Sequence, residues 1–145
     1  MRESFMKRVV TIASTGLLAF AIAAHAAVDW AQDYKSALAR AAKEKKLVMM
    51  DLYADWCGPC RMLDKTTFAN SDVQAALSNG FVAVKINIEA NRENQELASR
   101  FGTSAIPHIV FVDPAGKKVS EIIGYYPPDE FRDELRKVTE KAAKK

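Results

Sequence analysis

Four short apolar stretches, residues 47–53, 81–88, 109–112 and 119–123, are set apart by segments of helical periodicity. That alternation leaves few folds open. Short apolar runs bounded by helix signals read as buried strands. Crossover helices between the early runs imply parallel pairing. Asp113, Pro114, Ala115 and Gly116 form a turn signature between the last two, which therefore pair antiparallel. The order is helix, strand, helix, strand, helix, strand, strand, helix. It predicts an α/β domain with a central mixed sheet of four strands, or five, flanked by helices.

The helix signals are local. Asp29 with Gln32 three residues on reads as an N-cap, and Trp30, Tyr34, Leu38 and Ala41 follow at helical spacing to about Lys45. The stretch after Cys57 reads as helix to about Phe68. Ser71 with Gln74 restarts a helix that buries Val73, Ala76 and Leu77 and ends at Gly80. Asn91 caps a helix that closes at Gly102. Pro127 or Pro128 opens the last one, with Phe131, Leu135 and Val138 facing inward.

Residues 1–26 stand apart from this pattern. Arg2, Lys7 and Arg8 precede a mostly apolar run over residues 9–24, and Ala24, His25 and Ala26 supply a small-residue cleavage site. The run is shorter than the roughly 20 residues a membrane-spanning helix needs. The segment is expected to be a signal peptide cleaved after Ala26, leaving residues 27–145 as one domain outside the cytoplasm. It also carries Glu3, so without it the net charge of +3 falls to +1. No basic stripe is left to favour nucleic acid. The lysines of residues 141–145 suit a frayed helix end.

The chemistry centres on Trp56-Cys57-Gly58-Pro59-Cys60, between a strand and a helix. These two cysteines are the only ones in the chain. With two residues between them they can close a small disulfide ring. At a helix N-terminus the first sulfur meets unpaired N–H groups and the positive dipole end, which favours thiolate, the species that attacks disulfides. Cys57 is the expected nucleophile and Cys60 the resolving thiol. Pro59 fits the first helical turn, where its missing N–H costs nothing. Trp56 is expected as a partly exposed wall beside the sulfurs. A zinc site needs four ligands, or three and water. After the leader, His108 is the only histidine and no third cysteine exists, so no metal is expected. A purely structural role is a weaker reading, because so short a loop gives little entropic stabilisation.

The run Asp51-Leu52-Tyr53-Ala54-Asp55-Trp56-Cys57-Gly58-Pro59-Cys60 resembles the active-site stretch of the thioredoxin family, and Ala105-Ile106-Pro107 resembles its cis-proline loop. Gly124 and the last helix follow in place. Within that family, Val48-Met49-Met50 leading into Asp51, and Lys65-Thr66-Thr67-Phe68, are similar to the periplasmic C-terminal domain of the membrane reductant conductor DsbD, which is expected here as a free-standing exported protein. The resemblance implies a thioredoxin fold and a cis bond at Ile106-Pro107 that sets this loop against the disulfide and offers backbone groups to substrate. Without the resemblance, a trans proline at a strand edge would be the reading.

The resemblance also bears on three other residues. Asp51 lies in an apolar strand, where an unpaired buried carboxylate binds its proton more tightly. The family implies that it accepts the proton of Cys60. The alternative is a hydrogen-bonded or surface acid at a strand end. Asp64 is one helical turn after Cys60, where DsbD-type domains carry an acid. It either tunes Cys60 or simply pairs with a lysine. His108 replaces the family's threonine after the proline, and either faces the groove or points into the sheet.

Gly58-Pro59 matches thioredoxin and so implies a reductant of protein disulfides. No cofactor beyond the Cys57–Cys60 redox pair is expected. Electrons would come from a membrane donor of DsbD type. Substrates would be exported proteins with disulfides, met by a monomer. The rival readings are a disulfide-forming oxidant or isomerase, and a redox-inactive binding or chaperone module.

Overall fold

A computed structural model describes residues 27–144; the expected leader lies outside the described residues. The elements are α1 (Tyr34–Glu44), β1 (Leu47–Tyr53), α2 (Gly58–Met62), α3 (Ser71–Gly80), β2 (Phe81–Asn87), α4 (Arg92–Arg100), β3 (His108–Val112), β4 (Lys118–Ile123) and α5 (Pro128–Ala143). A π-helical turn, Leu63–Thr67, continues α2 without a break. The strands form one sheet in the order β2-β1-β3-β4. β1 pairs parallel with β2 and antiparallel with β3, and β3 pairs antiparallel with β4. This is the mixed four-stranded sheet that the alternation predicts. Among the described residues, a fifth strand is present only as a single parallel bridge between Ala31 and Val84.

Strand side chains alternate between the two faces, so each strand feeds two cores. Val48, Met50, Leu52, Val82, Val84, Val110 and Val112 pack with α1 and α4. Met49, Ala83, Ile109 and Phe111 pack with the π turn, α3 and α5. Asp51 and Lys85 share this second face, which is how a carboxylate and an ammonium come to lie in an otherwise apolar layer. Phe131 is fully buried there, edge-on to Phe68 with ring centroids 5.6 Å apart. Phe131→Ala should cost about 3–5 kcal/mol. Urea unfolding of the oxidised protein would read this as a lower midpoint with an unchanged slope.

Two helix starts differ from the sequence reading. Asp29 does not cap α1. Asp33 does, accepting from the Ser36 N–H at 2.7 Å, while the Ser36 hydroxyl accepts from the Asp33 N–H. The chain cannot turn helical earlier because the Ala31 N–H donates to the Ala83 carbonyl at the edge of β2. Likewise Asn70, not Ser71, caps α3, its side chain accepting from the N–H groups of Asp72 and Val73. The Gln74 amide reaches back to the Phe68 carbonyl instead of closing a capping box. Among the described residues no helix is long and apolar enough to cross a membrane.

Candidate active site

The topology brings two loops to one end of the sheet. β1 delivers the chain to Cys57, whose N–H donates to the Ala54 carbonyl. β3 runs the other way beside it, with His108 opposite Leu52, so Pro107 sits at the same edge. The Ile106-Pro107 bond is cis. Pro107 is buried, and its carbonyl accepts from the Gly124 N–H at 2.8 Å.

Cys57 and Cys60 are joined as a disulfide. Cys57 is the N-cap of α2, and its sulfur lies 3.2 Å from the Cys60 N–H. That N–H is one of the unpaired donors at the helix start and points at the first sulfur. Gly58 and Pro59 form the first turn above it. A cleft of about 530 Å³ opens over the pair, between Trp56, Cys57, Gly58 and Pro59 on one side and Ile88 and the loop of Thr103, Ser104, Ala105 and Ile106 on the other. Cys57 lines this cleft and Cys60 does not. Trp56 is 65% exposed, and its indole N–H donates to Glu89 at 2.9 Å. Glu89 thus fixes how the tryptophan stands over the cleft. The sequence gives no sign of this pairing across 33 positions.

Behind the disulfide lies a buried charge cluster. Asp51 is 1% exposed. Its Oδ2 accepts from the Lys85 ammonium at 2.7 Å, while its Oδ1 is buried with no hydrogen-bond partner among the described residues. Burial pushes the Asp51 carboxyl above the ordinary carboxylate range, outweighing the pull of Lys85, and Asp64 adds to the rise. Lys85 also donates to Asp64. Burial pulls the Lys85 ammonium down, but the two carboxylates together hold it above its usual value. No motif in the sequence marks Lys85 as part of the site. Its signal was its place in an otherwise apolar strand, in register with Asp51.

His108 is buried and points into the protein. Its Nδ1 lies 2.9 Å from the Thr103 hydroxyl and its Nε2 lies 3.0 Å from Glu121, so it ties the cleft loop to β4. Among the described residues no group of three or more His, Cys, Asp or Glu side chains is placed to hold a metal ion.

A two-residue cysteine pair at a helix start, faced by a cis-proline loop on a mixed sheet, defines a thiol–disulfide oxidoreductase of thioredoxin type. The chain belongs to the thioredoxin-like domain family, whose model matches residues 34–139. It is 38% identical over 108 residues to the thiol:disulfide interchange protein DsbD of Pectobacterium atrosepticum, covering 72% of this chain and 18% of that one. The chain therefore spans under a fifth of that relative's length. Among solved structures, a thioredoxin from Thermus thermophilus superposes with a TM-score of 0.71 at 30% identity, covering 79% of this chain and 88% of that one. The oxidised C-terminal domain of Neisseria meningitidis DsbD gives 0.61 at 26%, covering 71% and 90%.

Proposed function

We propose that the chain is an exported reductase of protein disulfides. The reduced Cys57 thiolate attacks a cystine of the partner and releases one partner thiolate. Cys60 then attacks the Cys57 sulfur, displaces the second partner thiolate and leaves the chain as the Cys57–Cys60 disulfide. Two electrons pass to the partner. A membrane donor of DsbD type restores the dithiol. The observation that carries this reading is that Cys57 alone of the two cysteines lines the cleft. A partner cystine seated in the cleft meets the Cys57 sulfur, and Cys60, which does not line the cleft, is left for resolution.

Asp51 takes the Cys60 proton in this scheme. Its unpartnered Oδ1 is free to bind it, and its raised proton affinity suits the exchange. Trp56, Ile106 and Pro107 shape the groove for an extended segment of the partner. The leader over residues 1–26 and the likeness to DsbD support a periplasmic setting.

The direction is tested by equilibrating the protein with glutathione buffers. A reductase should fall near the thioredoxin value of about −270 mV. A potential near the oxidising end of the family, about −120 mV, would turn the reading into a disulfide-forming oxidant.

A further inference from the structure

The Lys85 ammonium meets more than the two carboxylates. It stands over three aromatic rings, 4.8 Å from the Tyr53 centroid, 5.1 Å from Trp30 and 5.4 Å from Phe68. All three lie within the roughly 6 Å at which a ring face attracts a cation. They come from three places: Tyr53 from the end of β1, Phe68 from the close of the π turn, and Trp30 from the segment before α1. Trp30 also precedes the stretch that the family model matches.

Trp30 is held firmly. Its neighbour Ala31 is bonded to Ala83 through a 2.7 Å backbone hydrogen bond and bridges Val84. The indole meets Phe68 edge-on at 5.2 Å. Indole is the ring that binds a cation best. A lysine head on a flexible four-carbon stem otherwise favours water.

We propose that Trp30 is a positioning residue: with Tyr53 and Phe68 it holds the Lys85 ammonium against Asp51 and Asp64, and so sets the acidity at which Asp51 takes the proton of Cys60. This rests on Asp51 being the acceptor. Among the described residues, the charged and titratable groups around Asp51 are Lys85 from β2, Asp64 from the π turn and Tyr53 two residues along β1. Cys60 lies one turn before Asp64, and β3 sets Ile109 opposite Asp51. Lys85 is thus the one cation of this set. Without the indole its head turns toward solvent, and Asp51 is left beside Asp64.

The test follows the Asp51 carboxyl by ¹³C NMR against pH in the oxidised protein. In parallel, the pH dependence of oxidation of the reduced protein by glutathione disulfide is measured. Trp30→Leu should raise the Asp51 midpoint by about half a unit, about a three-fold tighter hold on the proton. The pH–rate profile should move the same way. Trp30→Phe, with a weaker ring face, should give a smaller rise. Lys85→Met should give the largest.

If Asp51 titrates unchanged in Trp30→Leu while Lys85→Met moves it, the proposal is overturned and Asp51 keeps its role. If the midpoint moves but the rate profile does not, both fall. Should the leucine variant not fold, the phenylalanine variant carries the test, and an unmoved midpoint in it overturns the proposal.

Discussion

Cys57→Ser is expected to abolish disulfide reduction, and Cys60→Ser to stop the reaction halfway with the partner still attached. The asymmetry follows from where the two sulfurs lie. Cys57 lines the cleft between Trp56 and the loop ending at Ile106. Serine there removes the attacking sulfur, and an alcohol is no substitute at neutral pH. Turnover should fall to that of the protein-free exchange. Both cysteines are almost wholly buried, Cys57 at 2% and Cys60 at 3% exposure, but Cys60 does not line the cleft. Its loss leaves attack intact but removes the thiol that releases the partner. Non-reducing gels and mass spectrometry of the tryptic pair would show Cys57 joined to a partner cysteine. Adding dithiothreitol should free it. Equal loss in both variants without an adduct would remove the division of labour between the sulfurs. Full activity in the double serine variant would favour the binding-module reading.

The parts of this site that sequence makes legible are those written in neighbouring residues. Trp56 to Cys60 is continuous, and the cap role of Cys57 follows from a strand handing over to a helix. Periodicity also marks Phe131, Leu135 and Val138 as the buried stripe of α5, as observed. The cis bond before Pro107 is legible only through family likeness, because nothing local requires it. What escapes is set by tertiary contact. Asp29 with Gln32 reads as a cap in isolation, and the start at Asp33 is set instead by the hydrogen bond that ties Ala31 to β2. Asp64 offers both a pairing and a tuning role from its spacing. The pairing is observed with Lys85, 21 residues away. The rings around Lys85 come from three segments, so no window of sequence contains that cage. Glu121 reaches His108 across the β3–β4 ladder, which a reading of His108 alone cannot supply.

The buried cluster yields the second large effect, in stability. Lys85→Met removes the cation but keeps the length and apolar bulk of the stem. Asp51, almost wholly buried, then faces Asp64 with no opposite charge bonded to it. Breaking a buried pair from one side costs about 3–5 kcal/mol, since the remaining charge stays without compensation. The cost must depend on pH. Burial raises the folded-state proton affinity of Asp51 above its unfolded value. The folded chain therefore keeps a proton that the unfolded chain releases. The stability from this group is complete below the unfolded carboxylate's pKa and is lost as pH rises through the raised folded value. In the wild type Lys85 limits that loss. In Lys85→Met the folded value climbs further, so the decline runs deeper and extends to higher pH. Urea unfolding of both oxidised proteins should therefore show a small deficit near pH 4 that widens toward pH 8. The double variant Lys85→Met/Asp51→Asn, with no buried charge left at that position, should recover most of it. A deficit that stays constant with pH would mean that lost packing of the lysine stem, not the charge of Asp51, controls the difference.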